Sequence, residues 1–210
     1  MAEQNNNSRI EAFSDGVFAI ALTLLVIEIK VPHIEKQNSI SEVWVSLKHL
    51  SPSFFAFLLS FGIILISWVN HHAILLLIDK TSPRFIYANG FLLLTIVFMP
   101  FPTAFLAEYG LTNLASPAVA LYSFVNFMQA IAWTVMMRSA LYPKLLAKNG
   151  GAMKTLQETC RKSSYAIFVY AICTIIAFWF PLAIAIVITL IWIIWLVLGL
   201  NFKERRLIVS

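Results

Sequence analysis

Long apolar runs, broken only by short polar and basic links, recur from one end of this 210-residue chain to the other. The hydrocarbon core of a bilayer offers no water to backbone N–H and C=O groups, so a run of about 20 apolar residues crosses it as a helix. Segments of that kind fall near 11–31, 53–72, 85–106, 118–138, 163–180 and 182–202. The expected fold class is therefore an all-α integral membrane protein with six transmembrane helices, residues 1–210 forming a single transmembrane domain.

Composition agrees. Hydrophobic residues make up 60% of the chain and charged residues 12%, where a soluble domain carries roughly 45–50% and about 25%. The net charge of +5 does not signal nucleic acid, because the basic residues sit between the apolar runs and form no basic face. Cys160 and Cys173 are too few for a disulfide framework and lack metal-site spacing, so they read as small buried hydrophobes. No linker separates two domains, and no short repeat suggests a solenoid. The polar start MAEQNNNSRIEAF lacks the basic and short apolar regions of a signal peptide, so the first apolar run is expected to stay in the mature protein.

Proline marks several boundaries. Ser51-Pro52 and Ser116-Pro117 read as an N-cap followed by proline at the first helical position. Pro181 divides the long run from Ser163 to Asn201 into two spans, and Pro100 with Pro102 should bend or end the third. An even number of spans puts Arg9, Lys80, Arg84, Arg138, Lys144, Lys148, Lys154, Arg161, Lys162, Lys203, Arg205 and Arg206 on one side. Only Lys30, Lys36 and Lys48 remain on the other, 12 against 3. The positive-inside rule then places both termini in the cytoplasm. Between the first two spans, Ser39–Leu50 carries Ile40, Val43, Trp44, Leu47 and Leu50 at helical spacing. That pattern fits either an amphipathic helix on the outer interface or an ordinary packed loop helix.

Ionisable groups are costly inside a bilayer, and the first span holds most of them: Arg9, Glu11, Asp15 and Glu28 lie in or beside it, with Ser14 and Thr23. On a helical wheel, Phe13, Gly16, Val17, Ile20, Leu24, Ile27 and Val31 form one stripe with Thr23 on its flank. Asp15 points roughly 140° away from Ile20 at about 100° per residue. Packing is the ordinary reading of such a stripe, and Glu28 beside Lys30 reads as interfacial. Trp68, Asn70, His71 and His72 close the second span. Adjacent histidines cannot chelate as an i, i+4 pair would, so hydrogen bonding to Ser14 or Asp15 is expected. No HExxH, GxSxG or phosphate-binding glycine loop appears, no nucleophile–base set stands out, and no TVGYG-type filter is present. An enzyme is not expected.

The run from Arg9 through Phe13-Ser14-Asp15-Gly16 to Ile20, Thr23, Leu24 and Ile27 resembles the first helix of the transmembrane protein 175 family. That family comprises the endolysosomal potassium channel and its prokaryotic relatives. The Trp68-Val-Asn70-His71-His72 run is similar to the family as well, and one six-span unit matches the prokaryotic branch. The resemblance implies a potassium-selective, passively conducting channel in a prokaryotic inner membrane. It implies a homotetramer whose first helices line the pore, with Ile20, Leu24 and Ile27 as apolar rings and Thr23 nearby. It also implies that Arg9, Phe13, Ser14, Asp15 and Gly16 form a motif fixing that helix, with Trp68, Asn70, His71 and His72 as partners. Permeant potassium is then the only metal, no cofactor is needed, and the partners are other copies, lipid and monovalent cations. The competing expectation is a proton- or cation-coupled secondary transporter using Asp15 or Glu28, although inverted repeats and paired broken helices are not evident.

Overall fold

The computed structural model describes residues 4–32, 40–142 and 146–207, with side chains over 7–32, 40–142 and 146–197. Eight helices are present among them: α1 (Gln4–Ile27), α2 (Ile40–His49), α3 (Ser51–Leu75), α4 (Pro83–Phe98), α5 (Pro100–Tyr109), α6 (Ala115–Leu141), α7 (Gly150–Ile176) and α8 (Pro181–Leu207). Among the described residues, four stretches are long and apolar enough to cross a membrane: Asn7–Ile27, Ser51–Leu75, Pro83–Tyr109 and Ala115–Leu141. The third is α4 and α5 in succession. Pro100 and Pro102 have no N–H to donate, so the ladder breaks after Phe98, and Met99 N bonds Ile96 O in a tight turn at 3.2 Å.

The fifth expected span lies on α7, which begins at Gly150, well before Ser163. Its first half carries Lys154, Glu158, Arg161 and Lys162, so its apolar part is short. The last span starts at Pro181 as expected, and its apolar part runs Pro181–Val197.

Two expected caps are corrected. Leu50, with φ −80° and ψ −1°, precedes α3 without a side-chain cap bond, and Ser51 is already helical. Leu114 plays the same role for α6, which places Ser116 inside the first turn. The serine–proline pair that does cap is Ser82-Pro83: Ser82 is extended, and its Oγ accepts from Phe85 N at 3.2 Å. Asn149 caps α7 by accepting from Ala152 N at 2.8 Å.

Helix α6 is the most buried of the long helices and packs most extensively on α7, then on α4. Polar bonds join these helices where apolar packing alone would allow sliding: Gln129 Nε2 donates to Ser67 Oγ at 3.0 Å, Tyr122 and Ser60 bond at 2.9 Å, and Thr103 donates to Ser60 Oγ at 2.7 Å. At the basic end, the link after α3 pairs with the link after α6 through Asp79 N to Leu146 O and Lys148 N to Leu77 O. Asn7 Nδ2 donates into the same turn, to Ile78 O and Asp79 O. Both cysteines are free, Cys173 buried and Cys160 half-buried. Helix α2 has no buried residue among the described part of the chain. Ser39 and Lys36 lie outside the described residues, as does Lys144, and so do the side chains of Lys203, Arg205 and Arg206.

Candidate functional site: the first helix and its anchors

Helix α1 has two unlike faces. Ser14, Phe18, Ala21 and Leu25, at helical spacing, are fully buried. They pack against α3 and α4, and less against α5. The other face carries the expected stripe. Ile20 is 59% exposed, Leu24 37%, Ile27 68% and Phe13 65%. Gly16 and Thr23 are exposed beside them, and Val17 is half-buried against the core. A Cβ placed on Gly16 would meet nothing within 4 Å. The stripe is therefore not part of this chain's own core. The Thr23 hydroxyl donates to Ile20 O at 2.8 Å, the usual way a helix absorbs a threonine in an apolar setting.

The buried face is fixed by three polar links at one level. Trp68 Nε1 donates to Asp15 Oδ1 at 2.8 Å. His72 Nδ1 meets Glu11 Oε1 at 2.9 Å, and its ring stacks on Trp68 with centroids 6.5 Å apart. Deepest is a relay through Asn89. Asn89 Nδ2 donates to Ser14 Oγ at 3.0 Å, and Asn89 Oδ1 lies 2.7 Å from His71 Nε2. An amide oxygen only accepts, so this arrangement assigns a proton to His71 Nε2. Phe18 packs on the same ring, with centroids 5.4 Å apart.

The links use most, not all, of the expected residues. His71 reaches Ser14 only through Asn89, a residue of α4 whose own surroundings in the sequence (Tyr87-Ala88-Asn89-Gly90) give no sign of the role. His72 finds Glu11 instead of Ser14 or Asp15. Asn70 does not join α1; it lines a cavity among α3, α6, α7 and α8. Arg9 and Phe13 are exposed on the single chain, so the buried layer contains Ser14 and part of Asp15 but not the whole motif. Glu28 is half-buried at the far end of the helix. Among the described residues, no group of three or more histidine, cysteine or acidic side chains could hold a metal ion.

The chain is similar to known proteins over most of its length. The family model described as the endosomal/lysosomal potassium channel TMEM175 matches residues 9–100, which take in most of α1 and all of α2, α3 and α4. A potassium channel of Chamaesiphon minutus is 48% identical over 147 residues, covering 70% of this chain and 72% of its own. A potassium channel of a Chryseobacterium species is 32% identical over 192 residues, covering 89% and 92%. The crystal structure of a lysosomal potassium-selective channel TMEM175 homolog from Chamaesiphon minutus superposes with a TM-score of 0.79 at 35% identity, covering 93% of this chain and 98% of that one.

Proposed function

This chain belongs to the TMEM175 family, a family of membrane ion channels and not of enzymes, and from that premise we propose that it forms a potassium-selective channel with α1 lining the pore. The observation that carries the reading is the division of α1: one face is pinned by Ser14, Asp15 and Phe18, while Ile20, Leu24 and Ile27 are left uncovered by their own chain. A pore built on one helix of a small chain needs copies to close it, and four copies would set these side chains in stacked apolar rings. In this reading α7 and α8 complete six spans, residues 1–210 act as one domain, and both termini face the cytoplasm of a bacterial cell.

An ion passes an apolar ring only if the ring widens or the ion loses water, and a narrow ring can stop flow by dewetting. Potassium holds its water less tightly than sodium, which sets the direction of preference. Thr23 hydroxyls, next to the Ile20 level, supply the nearest polar atoms for ordered water. The scaffold residues Asp15, Trp68, His71 and His72 act indirectly, by fixing the rotation of α1 and so the direction in which Ile20 and Leu24 point. The competing reading is a coupled transporter using Asp15 or Glu28: Asp15 accepts from the Trp68 indole, and Glu28 is half-buried at the far end of α1.

The test is ion flux in liposomes containing the purified chain, driven by a potassium gradient and repeated with sodium. Potassium flux well above sodium, made less selective by Ile20→Asn and by Leu24→Asn, is expected. Unchanged conductance and selectivity in both variants would refute the ring assignment.

A further inference from the structure

A groove of about 600 Å³ runs between α3, α5, α6 and α8, within the range of small-molecule sites, roughly 300–1,000 Å³. Phe55, Leu182, Ile186 and Leu190 stand along its rim, each more than half exposed. Behind them Ala56, Val119 and Ile188 are buried. Among the described residues that line it, no side chain is charged. Its polar side chains are few and mostly engaged: Tyr122 and Ser60 share a hydrogen bond at 2.9 Å, and Thr189 Oγ1 donates to Ala185 O at 2.8 Å. Ser51, at one end, is exposed. No residue of α1 takes part.

The groove follows the first turns of α3 and α8. From Ser51 to Leu59, and from Leu182 to Leu190, eight steps of about 1.5 Å make about 12 Å. Half the hydrocarbon core is roughly 15 Å, so the groove covers most of one leaflet. Its mouth lies at headgroup level. Trp44 on α2 and Trp179 just before α8 are 62% and 69% exposed, both at the end of the bundle away from Arg9, and exposed tryptophans gather at that level of a bilayer. Lipid tails are as apolar as these walls, so burial alone draws nothing in. Contact does. An empty groove forfeits the dispersion its lining atoms could make. A chain lying in it touches fixed walls from several helices, where a flat helix face offers one.

We propose that this groove holds one acyl chain of a phospholipid from the leaflet at that end of the bundle. The ester end sits by Ser51 and Leu182, and the terminal methyl points toward Leu59 and Leu190. A polar solute would find nothing to bond below Ser51. The proposal rests on the membrane-spanning fold and not on the pore assignment, since α1 lies outside the groove, so either can fail alone.

Photolabelling tests it, in liposomes containing the full chain and a trace of phosphatidylcholine with a diazirine on one acyl chain. Irradiation, digestion and mass spectrometry locate the adducts. Residues 51–59 and 182–190 should carry more adduct than the stretch of α7 holding Phe168 and Ile172, which are exposed, apolar and outside the groove. The expected excess is about fivefold, equivalent to about 1 kcal/mol of added contact. Ala185→Phe, which fills the groove, should bring its adducts down to the α7 level and leave α7 unchanged. Leu182→Trp narrows the mouth at a position 56% exposed, where folding tolerates the change, and should act the same way. Equal adduct on the groove and α7 would mean ordinary boundary lipid and overturn the proposal. Adduct on α7 alone would mean that a second copy of the chain covers the groove, which overturns it as well. An excess that neither variant lowers refutes the groove as its source.

Discussion

Asn89 is the residue on which the buried links of α1 depend, because both ends of its amide are used at once. Replacing it by leucine would strand the His71 Nε2–H and remove the donor to Ser14, two losses in a buried setting. Asn89→Leu should therefore cost on the order of 3 kcal/mol, read as a lowered melting temperature in detergent. Ser14→Ala should cost about 1 kcal/mol alone but little in the Asn89→Leu background, since its partner is already gone. Full additivity in that cycle would disprove the relay. Trp68→Phe tests the neighbouring link in another way. It should lower stability or assembly yield while leaving ion selectivity unchanged, because Trp68 grips Asp15 on the side of α1 away from Ile20. Altered selectivity with normal yield would count against a scaffold role. The direction of Asp15 was legible in the sequence, since a helical wheel needs only the helix. Asn89 was not, because its role arises from α4 passing beside α1 and α3 at one depth, and helix packing order leaves no periodic mark.

At the scale of elements, the three serine–proline pairs show where local reading fails. Ser51, Ser82 and Ser116 have the same dipeptide, yet only Ser82 caps. An N-cap must be extended so that its oxygen can reach back over the first turn. Ser82 follows an irregular link and is free to extend, with φ −129° and ψ 156°. Ser51 follows α2 almost without a break, and Leu50 stays near helical angles, so Ser51 is carried into α3. The deciding fact lies in the preceding residues, which a dipeptide does not record. Ser82→Ala should lose about 1 kcal/mol, lowering the melting temperature by roughly 2–4 °C for a chain of this size. Ser51→Ala should be silent in the same melt, and an equal effect at both positions would undo the assignment. The prolines were read more securely. Pro100, Pro102 and Pro181 act through a missing N–H and a fixed φ, which are properties of the residue alone; α5 and α8 begin at Pro100 and Pro181, and Pro102 sits in the first turn of α5.

For the whole molecule, the open question is what covers the exposed stripe of α1. The apolar runs made the class of fold legible, and the charge asymmetry suggested its orientation. Neither distinguishes a lipid-facing stripe from a pore-facing one, because both are apolar and both are uncovered in one chain. Water tells them apart. In a background with Cys173→Ala and Cys160→Ala, single cysteines at Gly16, Ile20, Thr23 and Leu24 would be offered to a water-soluble, charged thiol reagent. Gly16→Cys has free space around its Cβ, and the other three replace exposed side chains, so none should disturb packing. A pore predicts modification at these positions that reduces potassium flux, fastest at Gly16 and slowest where the rings are narrowest. Ala21→Cys and Leu25→Cys, on the buried face, should be inert. A lipid-facing stripe predicts no reaction at Ile20, Thr23 or Leu24, since a charged reagent does not enter hydrocarbon, and flux would then be unchanged. Phe168→Cys, exposed on α7 and apart from α1, supplies the comparison for such a lipid-facing site. Reaction at Ile20 and Leu24 with silence at Phe168 would place water along α1, where an ion pathway requires it.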